Sequence, residues 1–435
     1  MNKKIFVFTA FLFCFAVAFA QKETGASSES ENVINLTVDE AVKLALENNV
    51  SVKTSELALD LKKRQKNSSW NSVSPTASVS GSFNDDLEND RKTTSVTGTI
   101  GISLSPSIYS SIKKAVLEYE AGKLSYEETA RKVELNVRKS FYNILYEQEN
   151  IAAQEKSLET AQQTYDANLA KYNRGQLSEL DLLSSQYKLE SKKPNIISLK
   201  NTYKNDIASF KQILGIGLSL NIHLEGDFDD VIKNLSLNEE ILSGDLDALP
   251  SIKSAQNNVD TAKASLLASR FSAYGPTVTG SYSYGKSHSS LTGDENTNKI
   301  SLGVSIPLDG WLPWSSGALS VASQKEKLEE LQLKLDDERT SAAISVRNSY
   351  NTILQAQSQL ETLKKNVELM QRTYDMTRIA YNNGSKDLLT LQSAEDNLLS
   401  AKTSLQLQEY TLITNVLTLE STLGVPFGTF SKANS

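Results

Sequence analysis

The chain has few of the residues on which most catalytic and metal-binding sites depend. Its 435 residues include one cysteine, Cys14, and two histidines, His223 and His288. Cys14 lies in an apolar N-terminal run, so the chain beyond residue 20 offers no disulfide and no thiol chemistry. We find no nucleophile–base spacing and no metal-ligand spacing, and the acidic residues are scattered along predicted helices. We therefore expect no enzyme, no metal site and no cofactor.

Aromatic residues and long apolar runs are also scarce, and the chain has no excess of positive charge. Aromatics make up 7% of the chain, which favours long helices over a large compact core. The formal net charge is −7, and no basic stripe indicates binding to nucleic acid. Beyond the N-terminus, no apolar stretch reaches the roughly 20 residues that a membrane-crossing helix needs. The sequence therefore gives no support for a nucleic-acid partner or for a helical membrane span.

The N-terminus has the pattern of a secretory signal peptide over residues 1–20. Lys3 and Lys4 precede an apolar run that ends in the small-residue site Ala18-Phe19-Ala20. A membrane anchor is the alternative, but the run is short. A lipoprotein would need small residues before its cysteine, and the Leu-Phe pair before Cys14 does not fit. Residues 21–32 are polar and are interpreted as a flexible leader.

One segment of the sequence occurs twice, with an offset of 209 residues. Residues 137–145 read VRKSFYNIL and residues 346–354 read VRNSYNTIL, and the register still holds at Gly215 and Gly424. A constant offset over such a length indicates an internal duplication. The predicted organisation is therefore a first repeat at 33–215, an inter-repeat segment at 216–249, a second repeat at 250–424 and a tail at 425–435.

Each repeat is predicted to contain a short helix, a strand pair, a very long helix and a returning helix. Thr37 and Glu40 form a capping box that starts a helix reaching about Ser69. From Ser107 to Asn173 the chain has no proline, and some 65 helical residues would make a rod of roughly 100 Å. A rod of that length suits a compartment between two membranes better than a globular core.

Between the helices the hydrophobic period changes from 3.6 to 2, which predicts two strand pairs of membrane-crossing length. Apolar residues occupy one face, and Ser, Thr and Gly without charge occupy the other. A soluble sandwich is the alternative, but no further strands are predicted that could pack on these. The expected lipid-facing residues are Val96, Ile100, Ile102, Leu104, Tyr282, Tyr284, Leu302, Val304 and Ile306. Trp311 and Trp314 are expected at the boundary between membrane and water, where indole rings settle.

Four strands cannot close a barrel by themselves, because about eight is the smallest closed number. Edges left open in lipid would expose unpaired backbone groups. Two chains would give about eight strands and a filled interior, whereas three would give about twelve strands and a lumen. The sequence leaves both possibilities open.

The turns at the ends of the long helices are the candidate functional tips. Gly175 and Gly384 fit the left-handed position that ends a helix. These turns are helix connections in any case, but they also supply donors and an acceptor that could hold one hairpin to the next: Tyr172, Tyr381, Arg174, Lys386 and Asp181. The residues predicted to form the turns and to dock a partner are Tyr172, Arg174, Gly175, Asn383, Gly384 and Asp387.

Taken together, the signal peptide, the opening motif LTVDEAVKLALENN at 36–49, the duplicated hairpins and the Tyr-x-x-Gly tips resemble the TolC family of outer-membrane efflux and secretion channels. The likeness covers about residues 33–425. It implies a mainly α fold with a membrane β-barrel portion: long antiparallel helical hairpins plus four transmembrane strands per protomer, internally duplicated and trimeric. The implied function is the exit duct of a tripartite efflux pump or type I secretion system, through which substrate passes passively. The implied location is the outer membrane, with the helices in the periplasm.

The resemblance also implies partners and a gate. The partners are two further copies of the chain, outer-membrane lipid, a periplasmic adaptor and an inner-membrane efflux pump or ABC transporter. The implied latch joins Asp181, Tyr381 and Lys386, with lysine where the family has an arginine that binds bidentately. Thr390 and Ser393 stand where well-studied members carry paired aspartates that ring the pore. The competing hypothesis is a secreted or periplasmic coiled-coil spacer without a pore.

Overall fold

The computed structural model describes residues 33–88, 90–237, 239 and 244–431. The predicted signal peptide with Cys14 and the predicted leader lie outside these residues. The helices and strands follow in chain order: β1 Val33–Leu36, α1 Val38–Asn48, α2 Val50–Ser68, β2 Thr76–Asp86, β3 Arg91–Leu104, α3 Ser107–Asn173, α4 Glu179–Leu214, β4 Asn221–Leu224, α5 Phe228–Lys233, α6 Pro250–Tyr274, β5 Thr277–Ser289, β6 Gly293–Ser305, α7 Ser316–Asn382 and α8 Leu388–Leu423.

Two long helical hairpins, α3–α4 and α7–α8, form most of the molecule. The helices α3 and α7 have 67 residues each, and the helices α4 and α8 have 36 each. Their starts and ends all differ by the 209 residues that separate the repeated sequences. At 1.5 Å per residue, α3 and α7 are each roughly 100 Å long. The predicted long helices and returning helices are therefore confirmed.

The first short helix begins where the sequence predicts but does not run unbroken. Thr37 Oγ1 accepts a hydrogen bond from the Glu40 amide (3.4 Å), and the Glu40 carboxylate accepts one from the Thr37 amide (2.9 Å). This is the predicted capping box. The expectation of one helix up to about Ser69 is wrong, because extended backbone at Asn49 separates α1 from α2.

The interruption at Asn49 has two compensating hydrogen bonds. The Asn49 Oδ1 atom accepts from the Ser51 amide at 2.8 Å and so caps α2. The Asn49 Nδ2 atom donates to the Ile213 carbonyl at 2.8 Å, near the end of α4. The Asn49 side chain therefore links the start of α2 to the end of α4, the last helix of the repeat.

The hydrophobic core lies at the level of the inter-repeat segment, around the middle of the molecule. There β1 and β4 pair in parallel, with Val33 opposite Asn221 and Leu36 opposite Leu224. Two fully buried phenylalanines, Phe141 and Phe210, join α3 to α4 with ring centroids 6.4 Å apart. A second cluster packs α6, α7 and α8. The sequence did not predict the β1–β4 pair, because its two strands are short and far apart in the chain.

Each returning helix carries, near its C-terminal end, a buried polar residue that forms hydrogen bonds to the segment following the helix. Lys211 in α4 donates from Nζ to the Leu218 carbonyl at 3.0 Å. The residue 209 positions later, Glu420 in α8, accepts from the amides of Gly428 and Phe430, both at 3.0 Å. Equivalent positions of the two repeats thus carry opposite charges, but both side chains bind the segment that follows their helix. The segment after α8 packs against the core through Phe427 and Phe430.

The remaining strands form one four-stranded antiparallel sheet in the order β2-β3-β5-β6. The central β3–β5 pair joins the two repeats. The outer edges of β2 and β6 have no partner strand among the described residues. Within the described part of the chain, no helix has both the length and the apolar character needed to cross a membrane.

Candidate functional site

The four-stranded sheet has one apolar face, built from the residues that the sequence predicted. Directly opposed residues of antiparallel strands have their side chains on the same face. Ile100 lies opposite both Ala77 and Tyr282, and Tyr282 lies opposite Ile300, so one row crosses all four strands. The same face carries Val96, Ile102, Leu104, Tyr284, Leu302 and Val304, all of them exposed. Ile306, also exposed, follows one residue after the end of β6.

The opposite face of the sheet is hydrophilic, and its middle consists mainly of Ser, Thr and Gly. Hydroxyl groups bond across strands on this face. The Ser82 and Ser95 Oγ atoms are 2.8 Å apart, and Thr99 Oγ1 donates to Ser283 Oγ at 3.3 Å. Such a face is compatible with water and not with lipid.

The expectation that the hydrophilic face lacks charge is wrong. The register places Asp86, Arg91 and Glu295 on it, near the loops that join the strands of each pair. Farther from these loops, it places Lys299 directly opposite Ser283. The sequence analysis missed these residues because the strands extend farther toward their loops than the alternating runs indicate. β2 reaches Asp86, β3 begins at Arg91 and β6 begins at Gly293.

Aromatic side chains lie where the sheet meets the helices. Trp311 and Trp314 are exposed, and the Trp311 ring meets Tyr274 edge-on with a centroid distance of 5.3 Å. Trp70 precedes β2, Tyr109 follows β3, and both are exposed. All five lie close in the chain to the same end of the sheet, as aromatic residues at a membrane–water boundary would. The sequence analysis named only the two tryptophans after β6.

The two tips are closed by glycines and capped by side chains. Gly175 and Gly384 have φ values of +71° and +73°, which favour glycine. Ser178 caps α4 by accepting from the Asp181 amide at 3.1 Å, and Asp387 caps α8 by accepting from the Thr390 amide at 2.7 Å. Among the predicted turn residues, Tyr172 is the second-to-last residue of α3. Arg174 is the C-cap of α3, and Asn383 is the C-cap of α7.

The predicted latch residue Tyr381 binds within its own chain to a residue that the sequence did not suggest. Its hydroxyl donates to Asn168 Oδ1 at 2.7 Å. Asn168 is completely buried, and its Nδ2 atom has no hydrogen-bond partner among the described residues. Lys171 Nζ lies 4.7 Å from the centroid of the Tyr381 ring. Burial raises the pKa of Tyr381, and the charge of Asp181 adds to the rise, so the hydroxyl stays a donor.

The other two latch residues do not contact Tyr381 by hydrogen bonds in the single chain. Asp181 accepts from the Ser178 hydroxyl at 2.6 Å, within the cap of α4. Lys386 is exposed and forms no hydrogen bond or ion pair with another described residue. Both side chains therefore remain available for contacts between copies, and the latch stays a prediction.

A buried polar cluster joins the two hairpins farther from the tips. Glu395 of α8 accepts from the Ser157 hydroxyl of α3 at 2.8 Å, and Lys192 of α4 donates to the same hydroxyl at 2.6 Å. Lys192 lies 3.4 Å from Glu395, and their side chains are only 11% and 10% exposed. Asp396 forms ion pairs with Lys192 and with Lys188. Thr390 and Ser393, which the resemblance aligns with the pore aspartates of well-studied members, are exposed on the same helix.

Two acidic side chains of the first hairpin face each other without a cation. Asn143 Nδ2 donates to Glu147 Oε1 at 3.3 Å and to Asp206 Oδ2 at 3.1 Å, and so bridges α3 and α4. Burial, reinforced by the neighbouring Asp206, raises the pKa of Glu147 to about 7. No lysine or arginine in the described part of the chain forms an ion pair with either carboxyl group. The pair can therefore take up a proton near neutral pH.

A sheet with one lipid-compatible face and one hydroxyl-rich face, continuous with helical hairpins of roughly 100 Å, defines a class of protein that leads from one membrane into a long aqueous tunnel. The comparisons with known proteins agree with this class. A family model for outer membrane efflux proteins matches residues 41–216 and 245–425. The chain belongs to the outer membrane efflux protein family. It is an efflux channel protein of the outer membrane, with its helices in the periplasm.

Solved structures of outer membrane channels share the fold. One of them is CusC, whose folding and transmembrane channel formation are accompanied by conformational changes. It is 17% identical to this chain, with a TM-score of 0.76, and the match covers 89% of this chain and 92% of CusC. The CmeC channel of Campylobacter jejuni is 17% identical with a TM-score of 0.75 over 92% and 87%. The open MtrE channel of Neisseria gonorrhoeae is 18% identical with a TM-score of 0.74 over 95% and 96%. A search of curated proteins gives no match.

Proposed function

We propose that three copies of the chain assemble into one exit duct, in which twelve strands close a barrel through the outer membrane. The observation that carries this proposal is the sheet with two unpaired edges, β2 and β6. In lipid, unpaired backbone groups would cost several kcal/mol each, so β6 of one copy has to pair with β2 of the next. Channels of this family are trimeric.

Three copies fit the hydroxyl-rich face better than two. A barrel of about eight strands is filled by its own side chains, and a wall of Ser, Thr and Gly would leave such an interior poorly packed. About twelve strands enclose a water-filled lumen, in which hydroxyl groups keep their hydrogen bonds to water. The helical hairpins of the three copies would then continue the lumen through the periplasm.

The duct works with a periplasmic adaptor and an inner-membrane pump, either an efflux pump or an ABC transporter, and passes substrate passively. Family channels work with such partners. The turn residues at the two tips are the proposed docking surface, because they are exposed at the end of the hairpins opposite to the sheet. Tyr172, Arg174, Asn383 and Asp387 supply polar groups there.

The tips are the proposed gate, closed by polar contacts that water can replace. Near the tips the two hairpins meet through the Tyr381–Asn168 hydrogen bond, and farther from the tips they meet through the ion pair of Lys192 with Glu395. Near the middle of the molecule they meet through a hydrophobic core. A hydrogen bond contributes only about 0.5–1.5 kcal/mol net, so the tips separate at small cost while the core stays packed. Asp181 completes the latch between copies.

The test combines the mass of the purified mature protein with its conductance in a planar bilayer. We expect three chains per particle and small, flickering currents that become larger in an Asp181→Ala variant. Asp60→Ala, which removes an exposed carboxylate far from the tips, should leave the currents unchanged. Equal currents in all three proteins would keep the duct and reject the latch. Well-folded particles without any current would instead support the spacer.

A further inference from the structure

The hydrophilic face of the sheet carries a lysine in the middle of its hydroxyl-rich part. Lys299 lies on β6 opposite Ser283 of β5, which lies opposite Thr99 of β3, which lies opposite Ser78 of β2. The row therefore consists of three hydroxyl residues and one lysine on the same face. The next residue, Ile300, lies on the apolar face.

Other lysines of the sheet are placed differently. Lys92 and Lys286 lie on the face that carries the apolar residues and form ion pairs with Asp85 (3.7 Å) and Asp294 (3.3 Å). These pairs lie near the loops that join the strands. Lys299 is exposed and forms no ion pair with any residue that the structure describes.

The acidic residue nearest to Lys299 along β6 on the same face is Glu295. The two positions are four residues apart along the strand, which corresponds to roughly 13 Å. This distance exceeds the screening length of about 10 Å at 0.1 M salt. Glu295 therefore does not neutralise the charge of Lys299 at the row of the sheet in which Lys299 lies.

We propose that Lys299 is a specificity-determining residue of the duct, and that three copies of it form a ring of positive charge inside the barrel lumen. This inference rests on the proposed function, because the hydrophilic face encloses a lumen only when the sheet closes with its neighbours. The ring raises the local concentration of anions and lowers that of cations. Anionic solutes leaving the cell therefore pass this level of the barrel more readily than cationic solutes of the same size.

The expected effect is modest because the lumen contains water and salt. A unit charge about 7 Å away in water changes the local concentration of a monovalent ion about threefold, and screening at 0.1 M salt reduces this to somewhat less than twofold. The charge raises the local concentration of an anion and lowers that of a cation by the same factor. The ratio of the two concentrations therefore changes by the square of that factor. Removing the charge should therefore change the ratio of their local reaction rates about threefold.

The first experiment tests the position of the side chain by cysteine labelling. Because Cys14 is the only cysteine in the sequence and lies in the predicted signal peptide, a single introduced cysteine is unique in the mature protein. Lys299→Cys and Ile300→Cys are treated, in membranes, with a charged, membrane-impermeant methanethiosulfonate. We expect rapid labelling of Lys299→Cys and none of Ile300→Cys. The reverse pattern, or equal labelling of both, would overturn the closed barrel and the inference with it.

The second experiment tests the charge and is independent of the gate. Ser283→Cys serves as the reporter, and the rates of an anionic and a cationic methanethiosulfonate are compared with and without Lys299→Gln. We expect the anion-to-cation rate ratio to fall about threefold in the double variant. Lys286→Gln, on the opposite face, should leave the ratio unchanged. A reactive reporter whose ratio does not respond to Lys299→Gln would overturn the charge ring and leave the duct intact. An unreactive reporter would count against the aqueous lumen.

Discussion

Replacing Glu147 by glutamine should remove a pH dependence of stability from the first hairpin. Burial, with Asp206 alongside, raises the pKa of the Glu147 carboxyl to about 7 in the folded protein, from an ordinary value of 4.5. Between these two values the folded chain holds a proton that the unfolded chain has released. The stabilisation is therefore complete below about pH 4.5 and is lost as the pH rises through about 7.

The magnitude follows from the difference between the two pKa values. A full shift of that size would correspond to about 3.5 kcal/mol at roughly 1.4 kcal/mol per unit. Because the side chain is only partly buried, solvent screening reduces the contribution, and we expect a loss of about 1 kcal/mol between pH 4.5 and 7.5. A glutamine side chain at this position carries no charge, and its amide can still donate to Asp206. Glu147→Gln should therefore be more stable than the wild type at pH 7.5 by a similar amount.

The assay is the urea midpoint of unfolding, followed by far-UV circular dichroism at several pH values from 4.5 to 8. Glu127→Gln, which removes an exposed carboxylate on the same helix, is the matched control and should keep the wild-type slope. Parallel profiles for the wild type and Glu147→Gln would refute the reasoning, since the pair would then not hold a proton in the folded state.

Three further substitutions test the hairpin contacts and the helix ends. Tyr381→Phe removes a hydrogen bond to a buried amide and should weaken the tip contact by about 1–2 kcal/mol, measured as a higher open probability in planar bilayers. Lys192→Met leaves Glu395 buried without its counterion and should cost about 3 kcal/mol in urea unfolding, whereas adding Glu395→Gln should restore most of it. Gly424→Ala should cost more than Gly384→Ala, by about 1 kcal/mol or more in the same assay. Both need a positive φ, but a Cβ at Gly424 would come within 2.8 Å of a proline ring, and at Gly384 it meets nothing.

The sequence by itself determined the repeated architecture. Helix and strand periods, capping residues and turn glycines act over a few neighbouring positions, so they can be recognised without knowing the fold. The 209-residue offset predicted two equivalent hairpins, and their helices have equal lengths in the structure. The alternation of residues in the strands predicted the apolar face of the sheet, and the register of the four strands confirms it.

Only the tertiary structure decided which residues meet across the repeats. The Tyr381–Asn168 bond spans 213 residues, and the Ser157–Glu395 bond spans 238. Nothing in the local sequence distinguishes these side chains from the other polar residues of a long helix, because such pairs arise only when the hairpins pack side by side. The same holds for the acidic pair of the first hairpin, because the raised pKa of Glu147 depends on α3 and α4 approaching each other. Lys299 is an intermediate case, since alternation assigns its face, but only the pairing of β6 with β5 shows that the strand extends far enough to include it.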